Sequence, residues 1–153
     1  MNPSLRLSLL LVLILYMSQP STPFTPFKKY GVHIINGFQN QMLDIHCKSK
    51  DDDLGLQHIT ANGEFQWHFR INYWASTLFF CNMWWSGGHR RLDVFWVDNR
   101  FIVDDCGNSD CLWMGKEDGI YLYISKYSEY RFQYRWDPWQ TWNEGCNFVI
   151  FLE

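Results

Sequence analysis

Three adjacent carboxylates, Asp51, Asp52 and Asp53, stand between a cysteine and a glycine in the stretch HCKSKDDDLG. Neighbouring acids repel one another, so the run calls for a metal, a substrate, a partner or a turn. A calcium loop places its oxygens at alternating positions, as in D-x-D-x-D-G, so that one chain wraps the ion, whereas adjacent side chains diverge. Glycoside hydrolysis needs two carboxyl groups facing across a cleft, about 5 to 10 Å apart, with one held in an apolar pocket. Three neighbours on a solvated turn meet neither condition. The favoured reading is an Asx-type turn: an Asp side chain accepts backbone N–H bonds, Gly55 takes a positive φ, and Lys48 and Lys50 screen the charge. A recognition role for the exposed acids is the remaining use.

Other chemistry-bearing residues point away from catalysis. The histidines at 33, 46, 58, 68 and 89 fall in separate predicted elements, and there is no H-E-x-x-H, G-x-S-x-G or glycine-rich phosphate loop. His46 and His68 lie on the polar faces of their strands, the ordinary place for a surface histidine. CGNSDC has no matching second half for a zinc knuckle. No catalytic residue, cofactor or metal is expected.

The elements that must position these residues follow from hydrophobic periodicity. Phe65, Trp67 and Phe69 alternate with polar residues in EFQWHFR, as do Phe132, Tyr134 and Trp136 in RFQYRW, the pattern of half-buried strands. Further β-rich runs cover residues 30–36, 42–47, 77–85, 92–97, 111–115, 120–125 and 146–152. NGFQN, ANGE, SGGH, DNR, CGNSD and KEDG supply turns between them. No stretch after the N-terminal segment has a clear 3.6-residue period. The expected fold is all-β, a compact antiparallel β-sandwich of about eight strands, with an open barrel less favoured.

The N-terminus sets the compartment. Arg6 precedes an apolar run over residues 7–17, interrupted only by Ser8, and the small-residue exit SQPSTP, the layout of a secretory signal peptide too short to span a bilayer. A leader of residues 1–22, cut somewhere between 18 and 24, and one domain over residues 23–153 are expected. Without Arg6, the 16 acidic residues outnumber the remaining bases by four, which argues against nucleic-acid backbone binding. Membrane insertion after cleavage is not expected.

Export means oxidised thiols, and there are five cysteines, at 47, 81, 106, 111 and 146. Strand phase turns Cys47 toward the core with Leu43 and Ile45, and Cys81 shares a side with Phe79 and Met83. A nested pairing of Cys47 with Cys111 and Cys81 with Cys106 is preferred among the three connectivities of these four, although the sequence alone does not choose. Cys146 is then left as a free thiol or the link of a covalent dimer in an otherwise monomeric protein.

CKSKDDDLG, TLFFCNMWW, LDVF, CGNSDCLW and DGIYLY, in this order over residues 30–136, resemble the plant self-incompatibility S-protein homologues. The resemblance implies small secreted proteins with a compact β-sandwich and two disulfides, whose founding members are stigma ligands of a pollen membrane receptor. Cys146 is additional to the family set. Most of the tryptophans are expected to fill the core. The exception is the Pro-containing loop segment over residues 136–142, where exposed Trp139 and Trp142 would join Asp51, Asp52 and Asp53 as partner-recognition candidates. Two functions stand: a non-enzymatic extracellular ligand of a plasma-membrane receptor on a plant cell, and a cell-wall carbohydrate-binding module using tryptophan platforms.

Overall fold

The computed structural model describes residues 28–139. The expected leader, the strand over residues 146–152, Cys146 and Trp142 lie outside the described residues. Nine strands are present among those described: β1 Lys29–Asn36, β2 Leu43–Lys48, β3 Asp53–Ile59, β4 Glu64–Arg70, β5 Leu78–Trp85, β6 Gly88–Trp96, β7 Asp110–Lys116, β8 Gly119–Ile124 and β9 Glu129–Tyr134. A single π-helical turn, Phe101–Asp105, joins β6 to β7.

The strands form a five-stranded sheet in the order β4-β1-β7-β8-β9 and a four-stranded sheet in the order β3-β2-β5-β6. Each lays its apolar side on the other. Tyr30, Val32 and Ile34 of β1 meet a layer built from Leu43, Ile45, Phe79, Met83, Val94 and Phe95. Rings interlock across the gap, with Phe69 4.6 Å from both Phe79 and Phe95. Trp113, fully buried on β7, donates its indole N–H to the Val94 carbonyl on β6 at 3.0 Å, so the largest core side chain also satisfies its polar atom across the sheets. Asn36 is completely buried yet satisfied: its amide donates to the carbonyls of Gln41 and Ile59, and its Oδ1 accepts the Phe38 N–H.

The all-β sandwich is as expected, with three corrections of detail. The sandwich is not wholly antiparallel, because β1 runs parallel to β7, a pairing between segments far apart in the chain that no hairpin signal announces. The strand β3 was not anticipated. It is an edge strand, and between the pairs His46↔Leu56 and Lys48↔Asp53 it carries two residues against one on β2. That bulge, with Gly55 at φ +70°, breaks the alternation by which a strand is read. The same device corrects the phase of RFQYRW. Ile120 pairs with Tyr134 while Tyr121 pairs with Phe132, so Gln133 is extra and Phe132 shares the outer face with Tyr121, 47 % exposed, instead of joining the core.

The nested cysteine pairing is also overturned. All four cysteines are oxidised, but as Cys47–Cys81 and Cys106–Cys111. The reason is strand order. β2 and β5 are neighbours in one sheet, Cys47 and Cys81 are direct cross-strand partners, and their Cα atoms lie 4.0 Å apart. Cys106 and Cys111 close the GNSD turn on itself.

Candidate functional site

Register decides which loops share an end of the molecule. Lys48, the last residue of β2, pairs with Phe80 near the start of β5, and Leu78 pairs with Trp96 at the end of β6. The acidic turn, the exit of the β4–β5 loop and the segment leading to the π-helical turn therefore leave the four-stranded sheet at one end. Asp51, Asp52 and Asp53 are all exposed there.

The turn is built locally. Ser49 Oγ accepts the N–H groups of Asp51 and Asp52, and the Ser49 N–H donates to the Asp52 carbonyl at 2.8 Å. Asp53 Oδ1 accepts the Gly55 N–H at 2.9 Å, the anticipated Asx geometry, and Gly55 takes the anticipated positive φ. His46 Nε2 lies 2.6 Å from the same oxygen and Lys48 Nζ lies 3.2 Å from the other. The Gly55 N–H first, then His46 and Lys48, hold the Asp53 carboxyl down at about 2. Asp53 is thus spent on the turn, leaving Asp51 and Asp52 as the outward acids. Around the same end, Asp98 caps the π-helical turn by accepting the Phe101 N–H, and Lys126 pairs with Asp104 at 3.1 Å. Burial pushes the neighbouring Asp105 carboxyl up.

The most exposed aromatics at this end were missed in the sequence. Tyr73 and Trp74, in the β4–β5 loop, are 87 % and 82 % exposed and pack edge to face at 5.2 Å. The loop is shaped by Asn72, whose amide brackets Ser76, and by Ala75 at φ +51°. Its only sequence signal is a Tyr-Trp pair in a segment of polar and small residues, INYWAST, with no alternation to bury the rings.

Trp139 does not join this surface. β5 and β6 turn over at the opposite end, where His89 bridges to Asp137. There Trp139, 49 % exposed, stacks on His89 at 4.8 Å and donates its N–H to the Trp85 carbonyl. Trp136, read as part of an exposed loop, is half-buried over Phe38 and donates to the Lys116 carbonyl. An open cleft of about 560 Å³ runs beside it, lined by Trp85, Glu117, Asp118, Phe132, Arg135 and Trp136.

The five histidines, separate in sequence, all find partners. His46 lies on Asp53, His58 Nδ1 is 2.5 Å from Asp44 Oδ1, and His89 stacks on Trp139. His33 and His68 converge with Asp110 on the outer face of the five-stranded sheet, and their ligand atoms all lie within 4.8 Å of one another.

A small all-β domain of two packed sheets, with one disulfide inside the four-stranded sheet, one closing a turn, and its chemistry confined to loops and an outer face, defines a secreted-type scaffold. The family model for the plant self-incompatibility protein S1 matches residues 31–136, and the chain belongs to that family. It is 37 % identical over 110 residues to S-protein homolog 1 of Arabidopsis thaliana, covering 71 % of this chain and 72 % of the relative. S-protein homolog 24 of the same plant is 43 % identical over 90 residues, 58 % of this chain and 57 % of that one. The fold is similar, at a TM-score of 0.56 and 15 % identity, to a solved structure of SPH (self-incompatibility protein homologue) proteins, described as a widespread family of small, highly stable, secreted proteins from plants. That match covers 71 % of this chain and 95 % of the solved one.

Proposed function

We propose that the protein is exported by its N-terminal leader and acts as a non-enzymatic extracellular ligand of a receptor on the plant cell surface. The observation that carries this reading is the composition of one sandwich end: outward Asp51 and Asp52 together with the solvent-exposed Tyr73–Trp74 pair. Exposed aromatics supply contact area and acids supply orientation and partner choice, the ingredients of a protein-binding surface on loops held by a rigid scaffold. Membership of a family that includes self-incompatibility protein S1 supports the reading.

Labelled secreted protein is expected to bind intact plant cells saturably, and the double variant Tyr73→Ala/Trp74→Ala to bind at least about tenfold more weakly with an unchanged melting temperature. Binding that is non-saturable, or indifferent to both the aromatics and Asp51→Asn/Asp52→Asn, overturns it. A carbohydrate-binding role has its own observation in the cleft beside Trp136, where Trp85 and Phe132 offer ring faces and Glu117, Asp118 and Arg135 offer hydroxyl partners. Glycan-array binding abolished by Phe132→Ala and untouched at Tyr73 and Trp74 favours that second reading.

A further inference from the structure

The geometry points to a binding site for one borderline divalent transition metal, of the zinc class, on the outer face of the five-stranded sheet. Its ligands are His33 Nε2 from β1, His68 Nε2 from β4 and Asp110 Oδ1 from β7. Strand order makes the site: β1 lies between β4 and β7, and Gly31 is the register partner of both His68 and Asp110. His33, two residues along β1, projects from the same face.

Three observations separate this cluster from ordinary surface ion pairing. First, Asp110 Oδ1 lies 3.6 Å from His33 Nε2 and 3.7 Å from His68 Nε2. Those separations exceed a hydrogen bond but match two ligands on one ion: metal–ligand bonds of about 2.0–2.2 Å at tetrahedral angles place donor atoms about 3.4 Å apart. Second, on two of the three ligands the atom not needed for ligation is already engaged. Glu64 sits on His33 Nδ1, so the ring donates there and presents the Nε2 lone pair, and Ser109 Oγ donates to Asp110 Oδ2, leaving Oδ1 to the ion. Third, the floor of the site is a glycine whose backbone does not require one. Gly31 is not among the positive-φ residues, yet a Cβ there would overlap Asp110 Oδ1 and stand 3.1 Å from His68 Nε2. The missing side chain keeps open the space in which an ion would sit.

Two imidazoles and a carboxylate, with Glu64 behind, select a borderline cation such as Zn²⁺ over the hard Ca²⁺, which prefers six to eight oxygens. Three protein ligands leave a fourth position for water or for a donor from a partner. This site lies on a different surface from the loop end proposed for receptor contact, so either assignment can fail alone.

Calorimetric titration of the full mature chain with ZnCl₂ is expected to show one equivalent bound. His68→Ala and Asp110→Asn are expected to weaken binding at least tenfold, and His58→Ala, which removes a two-residue His–Asp pair elsewhere, to leave it unchanged. His68 is half exposed, so its variant should keep the unliganded melting temperature within a few degrees. On the unmodified protein, added Co²⁺ should shift the imidazole resonances of His33 and His68 but not that of His58. Absence of zinc binding, binding that survives His68→Ala, or cobalt shifts spread over all five histidines would overturn the site. So would Ca²⁺ competing with Zn²⁺ at equal concentration.

Discussion

Asp53 takes a backbone N–H, an imidazole and an ammonium at one carboxylate, and its titration follows. Its carboxyl is held at about 2, below the ordinary value of about 3.9 for an unfolded chain. A depressed carboxyl contributes stability that is complete above the unfolded value and fades as pH falls from about 4 toward 2. NMR titration of the Asp53 side-chain carboxyl should give a midpoint near 2, and Asp53→Asn should flatten the acid limb of the stability curve across that window. Asn36 makes the opposite kind of contribution, neutral and buried. Replacing it by alanine strands the Gln41 and Ile59 carbonyls and the Phe38 N–H, a loss of about 1–3 kcal/mol in denaturant unfolding, because an unpaired buried polar group keeps its desolvation cost.

At the scale of the element, the β2–β3 connection is a tight Ser49–Asp52 turn feeding a bulge. A Cβ placed on Gly55 would meet no heavy atom within 4 Å, so space is not why it is glycine; its φ of +70° is. Gly55→Ala should therefore cost about 1 kcal/mol, from the left-handed backbone alone, and Gly55→Val more, because branching at Cβ adds to the same strain. Equal stability of the three proteins in urea would show that the turn relaxes to another conformation. The bulge in β3 also guards the edge of the four-stranded sheet, since a kinked edge is a poor template for another chain.

At the scale of the molecule, the two disulfides differ in reach. Cys47–Cys81 spans 34 residues and Cys106–Cys111 spans 5. Chain-entropy arguments give about 3.8 kcal/mol for the longer loop and about 2.2 kcal/mol for the shorter. Paired Cys→Ala variants should reproduce that order in guanidinium unfolding, and peptide mapping without reduction should recover Cys47 linked to Cys81. A mapped Cys47–Cys111 peptide would instead mean that the cross-links run between the sheets. The Trp113 indole bond to Val94 and the Phe69 ring contacts tie the sheets together without a covalent staple.

Only local features can be read along the chain. Alternation in EFQWHFR marks β4, the Asp-Leu-Gly signal marks the turn at Gly55, and strand phase turns Cys47 and Cys81 inward, because side-chain direction in a strand and turn chemistry depend on residues a few positions apart. The motif order from CKSKDDDLG to DGIYLY was enough to indicate the family. Strand order and register emerge only when the two sheets pack together. They place Cys81 opposite Cys47 instead of Cys111, turn Phe132 outward through a bulge, set Tyr73 and Trp74 at the acidic end, and carry Trp139 to the other. They also bring His33, His68 and Asp110 together around Gly31, since the parallel β1–β7 pairing depends on how two sheets bury their apolar faces and leaves no periodic trace along the chain.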